Sequence, residues 1–207
     1  MGEVWGIPLS ALVSFALTSL VIEVTPGPNM TYLALVAATA GRRAGFAMVG
    51  GITLGLAIVG VVAAFGVAEA IQASDLLYAT LRWAGVLFLL YLAWDGWRSS
   101  AVAEAAGEDG KYFVRGLITN LLNPKAGVFY IAVLPTFMMP QQSPILQAMV
   151  LTTIYVGVGA LVHSTIVMLA GTLEPVLNDP RRETILRRAL SILLALVALW
   201  FAWATAR

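Results

Sequence analysis

Long apolar runs fill most of this chain, and short stretches that contain charges, glycine or proline separate them. Six such runs can be recognised, at residues 7–40, 45–68, 75–97, 113–139, 146–173 and 188–205. About 20 apolar residues in a helix cross the ~30 Å hydrocarbon core of a membrane. The pattern therefore predicts six transmembrane helices joined by short connections.

Two of the predicted helices contain a break. The first run has 34 residues, would rise about 51 Å as one straight helix, and is interrupted by Thr25-Pro26-Gly27-Pro28-Asn29. Asn123-Pro124-Lys125 interrupts the fourth run. Proline removes a backbone donor and clashes with the preceding turn, and irregular backbone at membrane depth occurs only where protein or a water-filled cavity covers it. Each break is therefore either a solute site or a kink that neighbouring helices stabilise.

The longest polar stretch, residues 99–112, divides the chain into residues 1–98 and residues 113–207. Each half holds three predicted spans, so the second half enters the membrane in the opposite direction to the first, and both halves begin with a broken helix. We predict an all-α integral membrane protein with six transmembrane helices. They form two inverted three-helix repeats in which helices 1 and 4 are broken, with residues 99–112 as a cytoplasmic linker.

The composition supports a membrane protein and excludes several other classes. Hydrophobic residues make up 60% of the chain and charged residues 11%, and the mean hydropathy is +0.88, which excludes a soluble domain. The 207 residues leave no room beside six spans for a sizeable extramembrane domain. A net charge of +1 gives no reason to expect a nucleic-acid partner. Because cysteine is absent, a thiol relay and a Cys-ligated metal are excluded, and we predict no cofactor.

Lysine and arginine are concentrated in alternate connections between the spans. Nine of the twelve lie there: Arg42, Arg43, Arg98, Lys111, Arg115, Arg181, Arg182, Arg187 and Arg188. By the positive-inside rule these connections are cytoplasmic and both termini lie outside. Tryptophans lie near the span ends, where their rings contact the lipid headgroups. The arginine-rich segment 174–188 is predicted to be a loop that leads into an interfacial helix, which also contacts membrane lipids.

The two breaks predict two helix N-termini inside the membrane. Thr25-Pro26 and Asn123-Pro124 each have the composition of a helix start, because Thr and Asn are favoured caps and Pro suits the first helical position. A helix N-terminus carries roughly half a positive charge and unpaired N–H groups. Two of them could hold the carboxylate of an amino acid without a fixed cation.

Glu23, Lys125 and His163 are ionisable residues that lie well inside predicted spans. Glu23 would be costly if charged and exposed to lipid, so it is a proton carrier, a counter-ion for a substrate ammonium, or a static partner of Lys125. His163, the only histidine, is either a proton-relay or substrate-contact residue or a side chain bonded to a neighbouring helix. We take Glu23 and His163 as candidates for proton coupling, and one histidine by itself makes no metal site.

An ordered set of motifs resembles the lysine exporter / homoserine and threonine exporter family nearly from end to end. The motifs are Thr25-Pro26-Gly27-Pro28-Asn29, Gly41-Arg42-Arg43-Ala44-Gly45, Gly51-x-x-x-Gly55, Arg115-Gly116-Leu117-x-x-Asn120-x-x-Asn123-Pro124-Lys125 and Leu134-Pro135-x-Phe137. The resemblance implies a multi-pass exporter in the bacterial inner membrane that moves amino acids or close derivatives outward, with proton coupling. The family often has an acidic residue directly after Pro-Gly-Pro, where this chain has Asn29, and the carboxylate here is Glu23.

The motif residues are the candidate substrate-binding residues, namely Thr25, Pro26, Gly27, Pro28, Asn29, Asn120, Asn123, Pro124 and Lys125. No nucleotide-binding Gly-x-x-x-x-Gly-Lys-Ser/Thr loop is present, so export must use a gradient. Two alternatives remain. A metal or inorganic cation exporter would need clustered carboxylates and histidines. An intramembrane hydrolase would have to use Ser164 and His163, which are adjacent on a helix and point in different directions, so we predict that the chain is not an enzyme. The oligomeric state is left open, a homo-oligomer included.

Overall fold

The computed structural model describes residues 3–4, 7–25, 27–66, 74–98, 109–139, 142–170, 172 and 180–204. Pro26, most of the predicted linker 99–112 and most of the predicted loop before residue 180 lie outside the described residues. Eight α-helices make up nearly all of the described residues: α1 (Leu9–Val24), α2 (Pro28–Thr39), α3 (Gly41–Ala64), α4 (Asp75–Arg98), α5 (Asp109–Leu121), α6 (Pro124–Val128), α7 (Pro144–Ala170) and α8 (Pro180–Ala204). The predicted all-α class is confirmed. Two short antiparallel strands, β1 (Glu3–Val4) and β2 (Ile7–Pro8), were not predicted.

The first predicted span is broken, as expected, but its second helix begins two residues later than predicted. The axes of α1 and α2 differ by 63°. Thr25 caps the C-terminus of α1, and its hydroxyl donates to Val21 O at 2.9 Å. Gly27, in an extended conformation, is the N-cap of α2 and Pro28 is its first residue. The predicted start at Thr25-Pro26 is therefore wrong, because the Thr25 hydroxyl is bonded within α1 and Pro28 takes the first position that suits proline.

The second break begins where the sequence predicts. Asn123 is the N-cap of α6, and its Oδ1 accepts a hydrogen bond of 3.0 Å from the backbone N–H of Lys125. The helices on the two sides of the break are bent by 48°. Beyond α6 the backbone continues as a π-helical segment, Phe129–Val133, and a 3₁₀ turn, Leu134–Phe137, neither of which the sequence predicted.

Several helices are long and apolar enough to cross a membrane. Within the described residues, α3 and α7 each meet this condition as single helices. Up to four spans result if each bent pair of helices on the two sides of a break counts as one span. Shorter apolar stretches lie in α4 and α8, at Trp83–Asp95 and Arg188–Trp200. The last helix begins at Pro180, so residues 180–188 are the first part of α8 and not a separate interfacial helix.

Glycines let α3 lie against α5 with almost no side chain between them. A Cβ built at Gly51 would lie 2.8 Å from the backbone nitrogen of Leu117, and one built at Gly116 would lie 2.9 Å from Cγ of Met48. The Gly51-x-x-x-Gly55 motif thus serves helix packing, as its spacing indicates. Other packed pairs are α3 with α7, α4 with α8, and α7 with both α1 and α2.

Gly41 makes the tight connection between α2 and α3. Its φ is 85°, in the left-handed region that glycine adopts without the steric cost of a Cβ. Because one residue, Ala40, separates the two helices, this conformation turns the chain directly from α2 into α3.

Candidate functional site

The two breaks meet in the structure although they are far apart in the chain. Lys125 Nζ donates a hydrogen bond of 2.8 Å to the backbone oxygen of Thr25, 100 residues away. A Cβ built at Gly27 would lie 3.6 Å from Cδ of the same lysine. The carbonyl of Thr25 has no amide partner further along α1, because the helix ends there, and the ammonium group supplies a donor. The two interruptions thus form one site.

Glu23 lies in the last turn of α1 and is buried, with 5% of its surface exposed. Its Oε1 accepts a hydrogen bond of 2.5 Å from the hydroxyl of Tyr155, and its Oε2 lies 3.5 Å from Nε2 of His163. Among the described residues Glu23 and Lys125 form no ion pair, since the lysine donates to Thr25 O. The direct partners of the Glu23 carboxylate in this structure are therefore Tyr155 and His163.

A stripe along α7 faces Glu23. Tyr155, Gly159 and His163 are four residues apart and buried, so they lie on one face of the helix. A Cβ built at Gly159 would be 3.9 Å from both Cδ and Oε2 of Glu23. These are ordinary van der Waals distances, and the close contact of such a Cβ would be with Cδ1 of Leu56, at 2.8 Å. The sequence analysis does not identify Tyr155 as a site residue. Its spacing, four residues before Gly159 and eight before His163, is the signal that could have found it.

The tyrosine that donates to this carboxylate belongs to an aromatic cluster. The ring of Tyr155 stacks on Phe129, with centroids 3.7 Å apart and an interplanar angle of 15°. Phe15 of α1 packs against Phe129 at 5.6 Å. Tyr130 lies edge-on to Tyr155, and its hydroxyl donates to Leu56 O of α3 at 3.0 Å. The cluster thus fixes the ring whose hydroxyl donates to Glu23.

Two asparagines bridge the halves of the chain beside the breaks. Asn29 Nδ2 of α2 donates to Asn120 Oδ1 of α5 at 2.7 Å, and both side chains are buried. Asn29 Oδ1 and Asn120 Nδ2 have no hydrogen-bond partner among the described residues. Whichever way the two amides are oriented, one bond between them leaves one donor and one acceptor unsatisfied. Such a pair can bind a polar group of a solute.

Arg115 lies in α5 rather than in a connection and joins three helices. Its Nη2 is 2.7 Å from Oδ2 of Asp95 in α4, and its Nη1 donates to the Tyr32 hydroxyl of α2 at 3.3 Å. The arginine side chain is 15% exposed and the aspartate 27%. This network lies one turn of α2 beyond Asn29 and ties both halves together on that side of the breaks.

The remaining predicted site residues have the following positions. Gly27, Pro28, Asn29, Asn120 and Asn123 are buried, Thr25 is exposed and Lys125 is partly buried. Pro26 lies outside the described residues, and for Pro124 the structure describes only the helix start that it forms. Within the described part of the chain no three His, Asp or Glu side chains are placed to hold a metal ion.

Comparisons with known proteins agree on one family. The family model described as LysE type translocator matches residues 20–205. The homoserine/homoserine lactone efflux protein of Salmonella typhimurium is 28% identical over 189 residues, which cover 89% of this chain and 92% of that protein. The protein of the same name from Salmonella typhi has the same identity and coverage. An uncharacterised membrane protein of Pseudomonas aeruginosa is 29% identical over 165 residues, or 74% of this chain and 76% of that protein. No solved structure matches the chain.

Proposed function

Since the chain belongs to the LysE type translocator family, whose members are membrane transporters and not enzymes, we propose that it is a proton-coupled secondary exporter of amino acids or close derivatives. The observation that carries the proposal is the buried carboxylate of Glu23, which adjoins two broken helices and has a phenol and an imidazole as partners. Homoserine and its lactone are the first substrates to test, because efflux proteins of that name cover most of the chain.

The substrate site in this proposal is the space beside the two breaks. The first turn of α2 has backbone N–H groups without helical partners and a positive dipole end, which suits a substrate carboxylate. The unsatisfied amide atoms of Asn29 and Asn120 offer a donor and an acceptor. Thr25 O and the Lys125 ammonium mark the junction of the breaks, and substrate that enters there competes for the same lysine.

The proton site in this proposal is Glu23 with His163. A proton that enters from one side binds Oε2 of the carboxylate or Nε2 of the imidazole, and these two atoms are 3.5 Å apart. A carboxyl and an imidazole are both able to take up and release protons near neutral pH when their surroundings change. Exchange of one proton inward for one substrate outward requires that this site opens to the two sides in turn.

Inverted repeats provide a route to such alternating access. If residues 1–98 and residues 113–207 were interchanged, the packing of α3 on α5 would take the place of the packing of α7 on α1, and the reverse. The packing of α3 on α7 and that of α4 on α8 would stay the same. This pairing supports two inverted three-helix repeats, with six spans in all. We further propose that the protein lies in the bacterial inner membrane, with residues 99–112 cytoplasmic and both termini outside.

Transport into inverted membrane vesicles tests the function. Vesicles from cells that overproduce the chain should accumulate labelled homoserine when an acidic interior is imposed, and Glu23→Gln should lose the dependence on the pH gradient. Asp75→Asn is the matched control, because this carboxylate is exposed at the start of α4. Failure to accumulate any amino acid or lactone in a panel would refute the substrate class. A Glu23→Gln protein with full rate and unchanged pH dependence would refute the proton site.

A further inference from the structure

We propose that Tyr155 is a positioning residue that holds the carboxylate of Glu23 and transmits the gain and loss of its charge to the second broken helix. The inference rests on the proposed proton site at Glu23, and it adds the connection from that site to a moving element. Three contacts of Tyr155 carry it. The first joins Tyr155 to α1, the other two join it to the segment that follows α6, and the side chain itself has no exposed surface.

The first contact is the hydrogen bond to Glu23. The hydroxyl of Tyr155 donates to Oε1 at 2.5 Å, across 132 residues of sequence. Among the described residues, no other side chain donates to this oxygen. The position of Oε1 therefore depends on where α7 places the phenol.

The second contact is the stacked pair of Tyr155 and Phe129, with ring centroids 3.7 Å apart. Phe129 is the first residue of the π-helical segment that directly follows α6, and π-helical turns inside α-helices are frequent at functional sites. The third contact is the edge-on Tyr130 ring at 5.4 Å. Tyr130 also bonds to Leu56 O of α3, so the segment is held between α7 and α3.

Protonation of Glu23 weakens the first contact. A hydrogen bond to an ionised carboxylate is roughly twice as strong as a neutral one. When a proton binds Oε2, the oxygen beside His163, the carboxyl becomes neutral and its attraction for the Tyr155 hydroxyl falls. The phenol is then held less firmly, and the Phe129 ring that stacks on it can move with the second broken helix. Loss of the proton restores the bond.

The ionisable groups that face Glu23 come from two elements besides α1. From α7 these are Tyr155 and His163, and from the segment around the second break they are Lys125 and Tyr130, which interact electrostatically with Glu23. The His163 ring faces Oε2, whereas Lys125 donates to Thr25 O. Removal of the Tyr155 hydroxyl alone therefore tests the contact at Oε1 with the other groups in place.

Tyr155→Phe tests the hydrogen bond because it keeps the ring that stacks on Phe129. In this variant the charged carboxylate loses a donor that stabilises it relative to the neutral carboxyl. We expect the pH profile of homoserine uptake into inverted vesicles to move up by about one to two pH units. Tyr91→Phe is the matched control, because this tyrosine is exposed on α4 and should leave the profile unchanged.

Phe129→Leu tests the transmission, because it keeps the bond between Tyr155 and Glu23 and removes the stacked ring. We expect an unchanged pH profile and a maximal rate that falls about threefold to tenfold. A wild-type rate in Phe129→Leu overturns the proposal, and this arm decides the question if Tyr155→Phe does not accumulate in the membrane. A wild-type pH profile in Tyr155→Phe also overturns it. If Glu23→Gln then still abolishes the pH dependence, the proposed proton site stands without the role of Tyr155.

Discussion

Gly51→Ala should destabilise the protein, whereas the same change at the neighbouring Gly50 should not. A Cβ built at Gly51 would lie 2.8 Å from the nitrogen of Leu117 and 2.9 Å from the carbonyl carbon of Phe113. Both are backbone atoms of α5, so no side-chain rotation can make room. The two helices would have to separate by about 1 Å, which forfeits a quarter to a half of the dispersion energy of the contacts that separate.

The size of the effect follows from two opposing contributions. Alanine is favoured over glycine in a helix interior by about 1 kcal/mol, and overpacking of a tight contact costs about 1–3 kcal/mol or more. A Cβ at Gly50 would meet only the Phe113 ring, at 3.5 Å, which is ordinary van der Waals contact. Because the Gly51 contact is with backbone, its cost lies at the upper end of the overpacking range, so we expect Gly51→Ala to lose about 2 kcal/mol of stability after the gain in helix propensity. Gly50→Ala should be neutral or slightly stabilising.

Thermal unfolding of the protein purified in detergent measures this difference, with the amount of folded protein in the membrane fraction as a second readout. The Gly51→Ala protein should have a lower melting temperature than the wild type, and the Gly50→Ala protein an equal or higher one. Equal melting temperatures for the two variants would show that α3 and α5 do not approach as closely as described, and the reasoning would fail.

Three further changes address other parts of the structure. Lys125→Met removes the hydrogen bond to Thr25 O and should lower the rate of uptake into inverted vesicles by about threefold to tenfold. A hydrogen bond to a charged group contributes about 1.5–3 kcal/mol, and we expect less from this partly buried lysine. An unchanged rate would contradict a role for the junction of the breaks. Asp95→Asn and Arg115→Gln should each lower the melting temperature, and the double variant should cost less than the two losses added together; strict additivity would mean that the ion pair contributes nothing. Gly41→Ala should cost about 1–2 kcal/mol because its φ is positive, measured as a lower melting temperature in the same assay.

The sequence predicted the breaks well because proline acts locally. A proline within an apolar run interrupts the backbone hydrogen bonds whatever surrounds it, so both interruptions could be placed before the fold was known. The sequence could not predict that α2 starts at Pro28 rather than at Pro26, because both prolines suit the first position of a helix. A hydrogen bond of Thr25 within α1 decides between them, and it depends on where that helix ends.

The partners of Glu23 were harder to predict. A tyrosine within an apolar run has no local signature of a buried donor, and Tyr155 meets Glu23 only through the packing of α1 on α7. By its position in the chain, Arg115 counts with the cations of the connection between spans three and four. The structure pairs it with Asp95 and Tyr32 from other helices, and such compensation is invisible in a linear pattern. His163 and Asn120 were identified as residue types, and their partners are new.

The hydrogen bond between Lys125 and Thr25 also has a consequence for how the protein is made. The ribosome completes α1 to α5, the last of which ends at Leu121, before it reaches Lys125, which is 100 positions after Thr25. During that interval the open carbonyl at the end of α1 and the carboxylate of Glu23 have no partner from the second half, and neither can be left in lipid. The newly inserted first half must therefore be sheltered by water, by the insertion machinery or by another protein. A chain truncated before residue 124 should be an early substrate for membrane proteases.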